Sequence, residues 1–238
     1  MEEVDIQGQG VKLRAWWFRA EGERRGTVIY LHGVADNRGS SISIADRFVP
    51  QGFDVLAYDS RAHGESTGDA CTYGFYEKRD LMHVLNKVDA RPIIVIGTSL
   101  GAAVAIQAAA DDDRIDLVVA VATFSDLRTV ANERAPFFAS KANIDEALRI
   151  AEQRGSFKVN EVSPVLAAGK VGVPVLVIHG EKDHETPPVH SRRVHAALRS
   201  PKRLIVVPNA GHNDCLTSEV WIEIEKWLAA ALQGKRAG

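Results

Sequence analysis

Residues 97–101, Gly-Thr-Ser-Leu-Gly, set a serine between two glycines where the apolar run "PIIVIG" gives way to the alanine-rich "LGAAVAIQAAA". A serine hydroxyl is a poor nucleophile at neutral pH. It needs a base to take its proton and a carboxylate to orient that base. Gly97 and Gly101 remove side chains that would collide where a strand turns into a helix, so the turn can be sharp enough to present the hydroxyl. The plain alternative is a tight turn with no chemistry. The context favours Ser99 as nucleophile, because the motif falls on a strand-to-helix junction and the helix N-terminus favours developing negative charge.

Of the 8 histidines, His212 in "NAGHND" follows the last strand on a glycine-containing loop and is the candidate base. His63 in "RAHGES" precedes the serine and reads as a turn residue bonded to nearby backbone. His32 and His179 stand before glycines at strand ends and read as structural. His184, His190 and His195 lack the spacing of a helical zinc site, and His83 lies within a helix with no sign of chemistry. For the carboxylate, Asp183 in "HGEKDHETPP" competes with Asp126 in "FSDL". The order Ser, Asp, His favours Asp183, with Glu181 and Glu185 facing solvent. Two backbone N–H groups must also face the reacting carbonyl oxygen. Leu100, directly after the serine, supplies one, and Val34 in "LHGVADN" the other.

These residues need a scaffold that brings strand ends together. "VDIQ" and "VKLRAWWFRA" read as a hairpin. "TVIYLHG", "FDVLAYD", "PIIVIG", "DLVVAVATF", "PVLVIHG" and "RLIVVPN" read as strands buried on both faces. Helical spacing falls near 42–48, at 75–88, after Ser99, and at 218–232. Strands alternating with helices predict an α/β fold with a mostly parallel central sheet covered by helices on both faces. Ligands then bind at the carboxyl ends of the strands, where Ser99 sits. The alternation breaks between 128 and 162, which carries "APFF" and the amphipathic "NIDEALRIAEQRG". This reads as a short cap inserted in a single domain spanning 1–238. Phe137 and Phe138 are expected to line an acyl pocket with Leu148 or Ile144, or else to pack the cap onto the main body.

The totals exclude other classes. The chain has 238 residues, 45% of them apolar, and a formal charge of −2, which gives no reason to expect a nucleic-acid partner. The acidic start is no secretory signal, and no run approaches the ~18 apolar residues of a membrane span. A cytoplasmic protein without integral membrane association is expected. Cys71 and Cys215 are expected to be free thiols. Trp16 and Trp17 point to opposite faces of their strand, so an exposed ring could support a homodimer as well as edge packing.

"LHG", "YDSRAHGES", "GTSLG", "HGEKDHETP" and "AGHND" occur in this order between Thr27 and Leu232. In this the chain resembles the α/β-hydrolase superfamily, in particular small serine hydrolases related to carboxylesterases, monoacylglycerol lipases and the serine-aminopeptidase-like group. The resemblance implies a triad of Ser99, Asp183 and His212, oxyanion donors at Val34 and Leu100, and hydrolysis through an acyl-enzyme without metal or cofactor. "HGV" lacks the glycine run of some lipase relatives, so bulky tertiary-alcohol esters are not expected. The serine also argues against the haloalkane dehalogenases and epoxide hydrolases of the superfamily, which use aspartate. The expected activity is hydrolysis of short- to medium-chain carboxylic esters. A peptidase or amidase, a perhydrolase with the same triad, and a non-catalytic binding protein on this fold are the alternatives.

Overall fold

The computed structural model describes residues 1–236. Eight strands form one sheet: β1 (Glu2–Gln7), β2 (Lys12–Phe18), β3 (Gly26–Leu31), β4 (Phe53–Tyr58), β5 (Ile93–Thr98), β6 (Leu117–Val121), β7 (Val175–Gly180) and β8 (Lys202–Val207). Their spatial order is β1-β2-β4-β3-β5-β6-β7-β8. β1 and β2 form an antiparallel hairpin, β2 joins β4 antiparallel, and every later pairing is parallel. All parallel strands therefore point their carboxyl ends to one edge, which positions the site.

The helices are α1 (Ile42–Phe48), α2 (Glu77–Leu85), α3 (Leu100–Ala109), α4 (Leu127–Arg134), α5 (Lys141–Gly155), α6 (Pro164–Ala168), α7 (Val189–Ala197) and α8 (Ser218–Arg236). Successive strand residues alternate between two cores, as the period of a strand requires. Ile29, Leu56 and Val95 pack with Leu81 of α2, Ala105 of α3, Ala168 of α6 and Val194 of α7. On the other face Val28, Val55 and Ile96 pack with Phe48 of α1 and Trp221, Ile224 and Leu228 of α8. Every residue of α3 is buried; its alanines let it lie close against the sheet.

The structure departs from the sequence reading at several elements. β8 closes the sheet as an edge and is mostly half-exposed, so it is not buried on both faces. α4 lies in what reads as loop, and α7 covers the segment that holds His190 and His195. Neither carries a strong apolar stripe: α4 buries Leu127 and Val130, and α7 buries Val194 with the polar His190 and Ser191.

The segment from 128 to 162 comprises most of α4, then α5 and a short 3-10 turn. Ser140 caps α5 in a reciprocal pair with Asn143. Its underside forms a third core, in which Leu148 and Phe157 meet Phe124, Leu127, Val130 and Ala103 of α3. Trp17 is buried with Nε1 donating to Asp54 at 3.1 Å, and Trp16 on the opposite face is half-buried under the Arg38 guanidinium. Cys71 and Cys215 are both free, and burial pushes their thiols up to about 12 and about 11. Among the described residues no helix is long and apolar enough to cross a membrane.

Candidate active site

Ser99 joins β5 to α3 with φ 51° and ψ −111°, a conformation a non-glycine residue adopts only under constraint. The constraint is visible in its neighbours. A Cβ on Gly97 would fall 2.3 Å from the Gly101 carbonyl carbon, and one on Gly101 would fall 2.2 Å from Leu31 O. Strand, helix and β3 thus touch backbone to backbone, and the serine N–H is tied to Val121 O at 2.8 Å.

The Ser99 Oγ lies 3.0 Å from His212 Nε2, and His212 Nδ1 lies 2.6 Å from Asp183 Oδ2. An ionised carboxylate only accepts, so Nδ1 carries the proton and Nε2 presents its lone pair to the serine hydroxyl. Asp183 is itself fixed on all sides. Its Oδ1 accepts the N–H groups of Glu185 and Thr186 at 2.9 and 2.8 Å, and its Oδ2 also faces His179 Nε2 at 3.0 Å. His179 Nε2 meets Thr186 O at 2.7 Å as well, so it is a donor, and Nδ1 accepts from Ser191 Oγ at 2.6 Å. Burial alone would raise the Asp183 pKa. The bonds from His179, His212 and Thr186 outweigh burial and hold the carboxyl well below the usual carboxylate range.

Asp126 lies outside this chain of bonds. Its Oδ1 caps α4 by accepting Thr129 N–H at 2.8 Å, and its Oδ2 accepts from Ser125 Oγ at 3.0 Å. Glu181 and Glu185 are exposed, and Glu185 pairs with Arg134 at 3.3 Å. A second serine–histidine–carboxylate series, missed in the sequence, runs from Ser125 Oγ to His190 Nδ1 (2.8 Å) and from His190 Nε2 to Glu133 (2.7 Å). Ser125 and His190 are both 0% exposed, so this hydroxyl and imidazole are closed to solvent and the series ties α7 to α4 through the exposed Glu133.

Gly33 stands against Ser99, since a Cβ there would fall 3.6 Å from Ser99 Cβ. Val34 follows it and Leu100 follows Ser99, and among the described residues neither amide N–H has a partner in the protein. A cavity of about 500 Å³ opens over Ser99 and His212. One part of its lining is polar: Tyr30, Asp36, Ser40, Ser43 and Thr98. The Tyr30 Oη sits 3.4 Å from both Thr98 Oγ1 and Ser40 Oγ, and burial raises its pKa, keeping it a neutral donor and acceptor. Val121, Cys215 and Leu216 supply the apolar part, with the Arg134–Glu185 pair completing the wall.

Phe137 and Phe138 are not in that wall. They are 99% and 77% exposed, stacked edge-on against each other at 5.5 Å and outside the cavity lining. Neither expectation for them holds: the two rings stand in solvent, outside the lining of the cavity over Ser99 and outside the core that packs the cap. Leu148 and Ile144 face the third core instead, where they pack the segment onto α3.

The comparisons with known proteins agree with this architecture. The family model for the alpha/beta hydrolase fold matches residues 26–143, and that for TAP-like protein matches 151–224. The chain belongs to the α/β-hydrolase family. YqkD of Bacillus subtilis (strain 168) is 35% identical over 199 residues, which are 78% of this chain and 64% of that protein, so the chain spans less than two thirds of that relative. Among solved structures, an acetyl xylan esterase from Paenibacillus sp. R4 superimposes with a TM-score of 0.78 at 20% identity, covering 96% of this chain and 83% of that one. The Pyrococcus furiosus esterase Pf2001 follows at 0.75 and 24% identity, over 96% and 89%. At these identities the likeness establishes the fold.

Proposed function

We propose that the protein is a serine hydrolase of carboxylic esters with short to medium acyl chains, working through an acyl-enzyme. The observation that carries this reading is the unbroken series Ser99 Oγ, His212, Asp183, at 3.0 and 2.6 Å, beneath a cavity of about 500 Å³. His212 Nε2 takes the Ser99 proton as Oγ attacks the ester carbonyl. The carbonyl oxygen becomes an oxyanion between the N–H groups of Val34 and Leu100. Asp183 stabilises the imidazolium, which then protonates the departing alkoxide, and water repeats the sequence to release the acid.

The polar lining and modest size of the cavity favour the short end of the acyl range. An apolar pocket separates neighbouring chain lengths by only about 1–3 kcal/mol per methylene, so turnover is expected to decline gradually with chain length. The test is hydrolysis of p-nitrophenyl esters from acetate to palmitate by wild type and Ser99→Ala. Turnover greatest on short chains and lost in the variant supports the reading. Turnover that survives in Ser99→Ala overturns it.

A further inference from the structure

His32 and His63 both bind backbone, and the backbone they bind is the loop that carries Val34. His32 is fully buried. Its Nε2 accepts the Ser60 N–H at 2.9 Å, which leaves the proton on Nδ1, and Nδ1–H donates to Gly33 O at 2.7 Å. Burial lowers the His32 pKa, so the ring stays neutral and keeps that tautomer. Gly33 O and Val34 N–H belong to one trans peptide unit and point in opposite directions. Holding the carbonyl therefore aims the amide.

His63 acts on the next unit along. Its Nε2 lies 2.7 Å from Val34 O and its Nδ1 lies 2.8 Å from Arg61 O, so the ring stands between two loops far apart in sequence and, when neutral, donates to one of these two carbonyls. The His32 and His63 rings meet edge-on at 5.2 Å. His63 has a firm base. Gly64 follows it at φ 50°, where a Cβ would fall 2.2 Å from Asp59 Oδ2. That buried carboxylate accepts the N–H groups of Glu65 and Arg38 at 2.8 and 2.7 Å and pairs with the Arg38 guanidinium. Two consecutive peptide units at the candidate oxyanion donor are thus held from their carbonyl sides by two imidazoles.

We propose that His63 is a positioning residue for the oxyanion hole: Nε2–H holds the Val34 carbonyl and, with His32 on the preceding unit, prevents the loop from rotating the Val34 N–H away from the reacting oxygen. This rests on Ser99 being the nucleophile. The interaction matters most when charge develops on that oxygen, so its loss appears in kcat and spares KM.

Two variants separate hydrogen bonding from packing. His63→Phe keeps a ring against His32 and removes the donor, whereas His63→Gln supplies an amide N–H in its place. On p-nitrophenyl acetate His63→Phe is expected to lose about 10- to 100-fold in kcat, less than the 10²–10³ typical of deleting an oxyanion donor outright. Its KM stays within about threefold, and an alkyl boronic acid that mimics the tetrahedral adduct binds more weakly by the same factor as kcat falls. His63→Gln is expected to recover most of the loss. Full kcat in His63→Phe, an equal loss in both variants, or a change confined to KM would overturn the inference while leaving the hydrolase reading intact. No turnover by the wild type would overturn that reading and this inference together.

Discussion

From Gly33 to Ser41 the chain is bonded to segments distant in sequence: Val34 O to His63, and Arg38 N–H and guanidinium to Asp59. From Ala135 to Ser140 its bonds are local, Ala139 N–H to Pro136 O and the Ser140–Asn143 cap, and two phenyl rings stand in solvent. Val34 of the first segment lines the cavity over Ser99, whereas the second segment begins just after Arg134 and contributes no residue to that lining. Fixed backbone belongs where charge develops in a transition state, because donors already in place need no reorganisation at that moment. The tip between α4 and α5 carries no such requirement and is anchored at its root, by Leu148 in the third core, by Glu133 on His190 and by Arg134 on Glu185.

The largest contrast is expected between two aspartates. Asp183→Asn is expected to lower kcat by about 10³–10⁴-fold, since the amide oxygen goes to the Glu185 and Thr186 N–H groups and its NH₂ faces two donors. His212 must then move its proton to Nε2, which disables the base. Asp126→Asn is expected to change kcat less than about threefold, because asparagine also caps a helix well. Steady-state kinetics on one ester measure both, and the reverse ranking would move the acid to Asp126.

The same contrast exists in stability. Leu148→Ala is expected to cost about 2–5 kcal/mol in urea unfolding, as a buried leucine does when its cavity cannot collapse. Phe137→Ala is expected to stay within about 0.5 kcal/mol, as an exposed site does. A large loss at Phe137 would mean that its ring packs against something after all.

Acid sharpens the comparison further. The Asp183 carboxyl is held below its ordinary range, so its charge contributes stability that is fully present above the unfolded value of about 3.9. That contribution is lost as the pH falls through the lower, folded value. The stability margin of wild type over Asp183→Asn is therefore expected to be constant above about pH 4 and to narrow below it. A margin that widens in acid would contradict the assignment of charge. The smallest effect is expected from Phe137→Ala with Phe138→Ala, which should alter kcat/KM on acetate esters by less than about twofold.

Much of this was legible in the chain. The parallel strands announce themselves as short continuous apolar runs, and Ser99, Asp183 and His212 each follow one of them, so topology alone gathers them at one edge. What was not legible depends on direction. "PFF" places two aromatics in the insertion, but spacing in a loop does not say which way its tip turns. α4 and α7 bury too few apolar residues to show a helical period, and α7 hides His190 and Ser191 behind polar letters. His179 reads as structural and His63 as a turn residue bonded to nearby backbone, which its 2.8 Å contact with Arg61 O matches. Their targets, Asp183 and Val34 O, become visible only once β7 and the two neighbouring loops are in place.

Covalent labelling with a fluorophosphonate, followed by peptide mapping, tests the proposal that Ser99 is the activated nucleophile. One adduct per chain is expected at Ser99, absent in Ser99→Ala and slowed at least about 100-fold in His212→Ala. Folded protein that takes no label, or takes it at another serine such as Ser125, would contradict it.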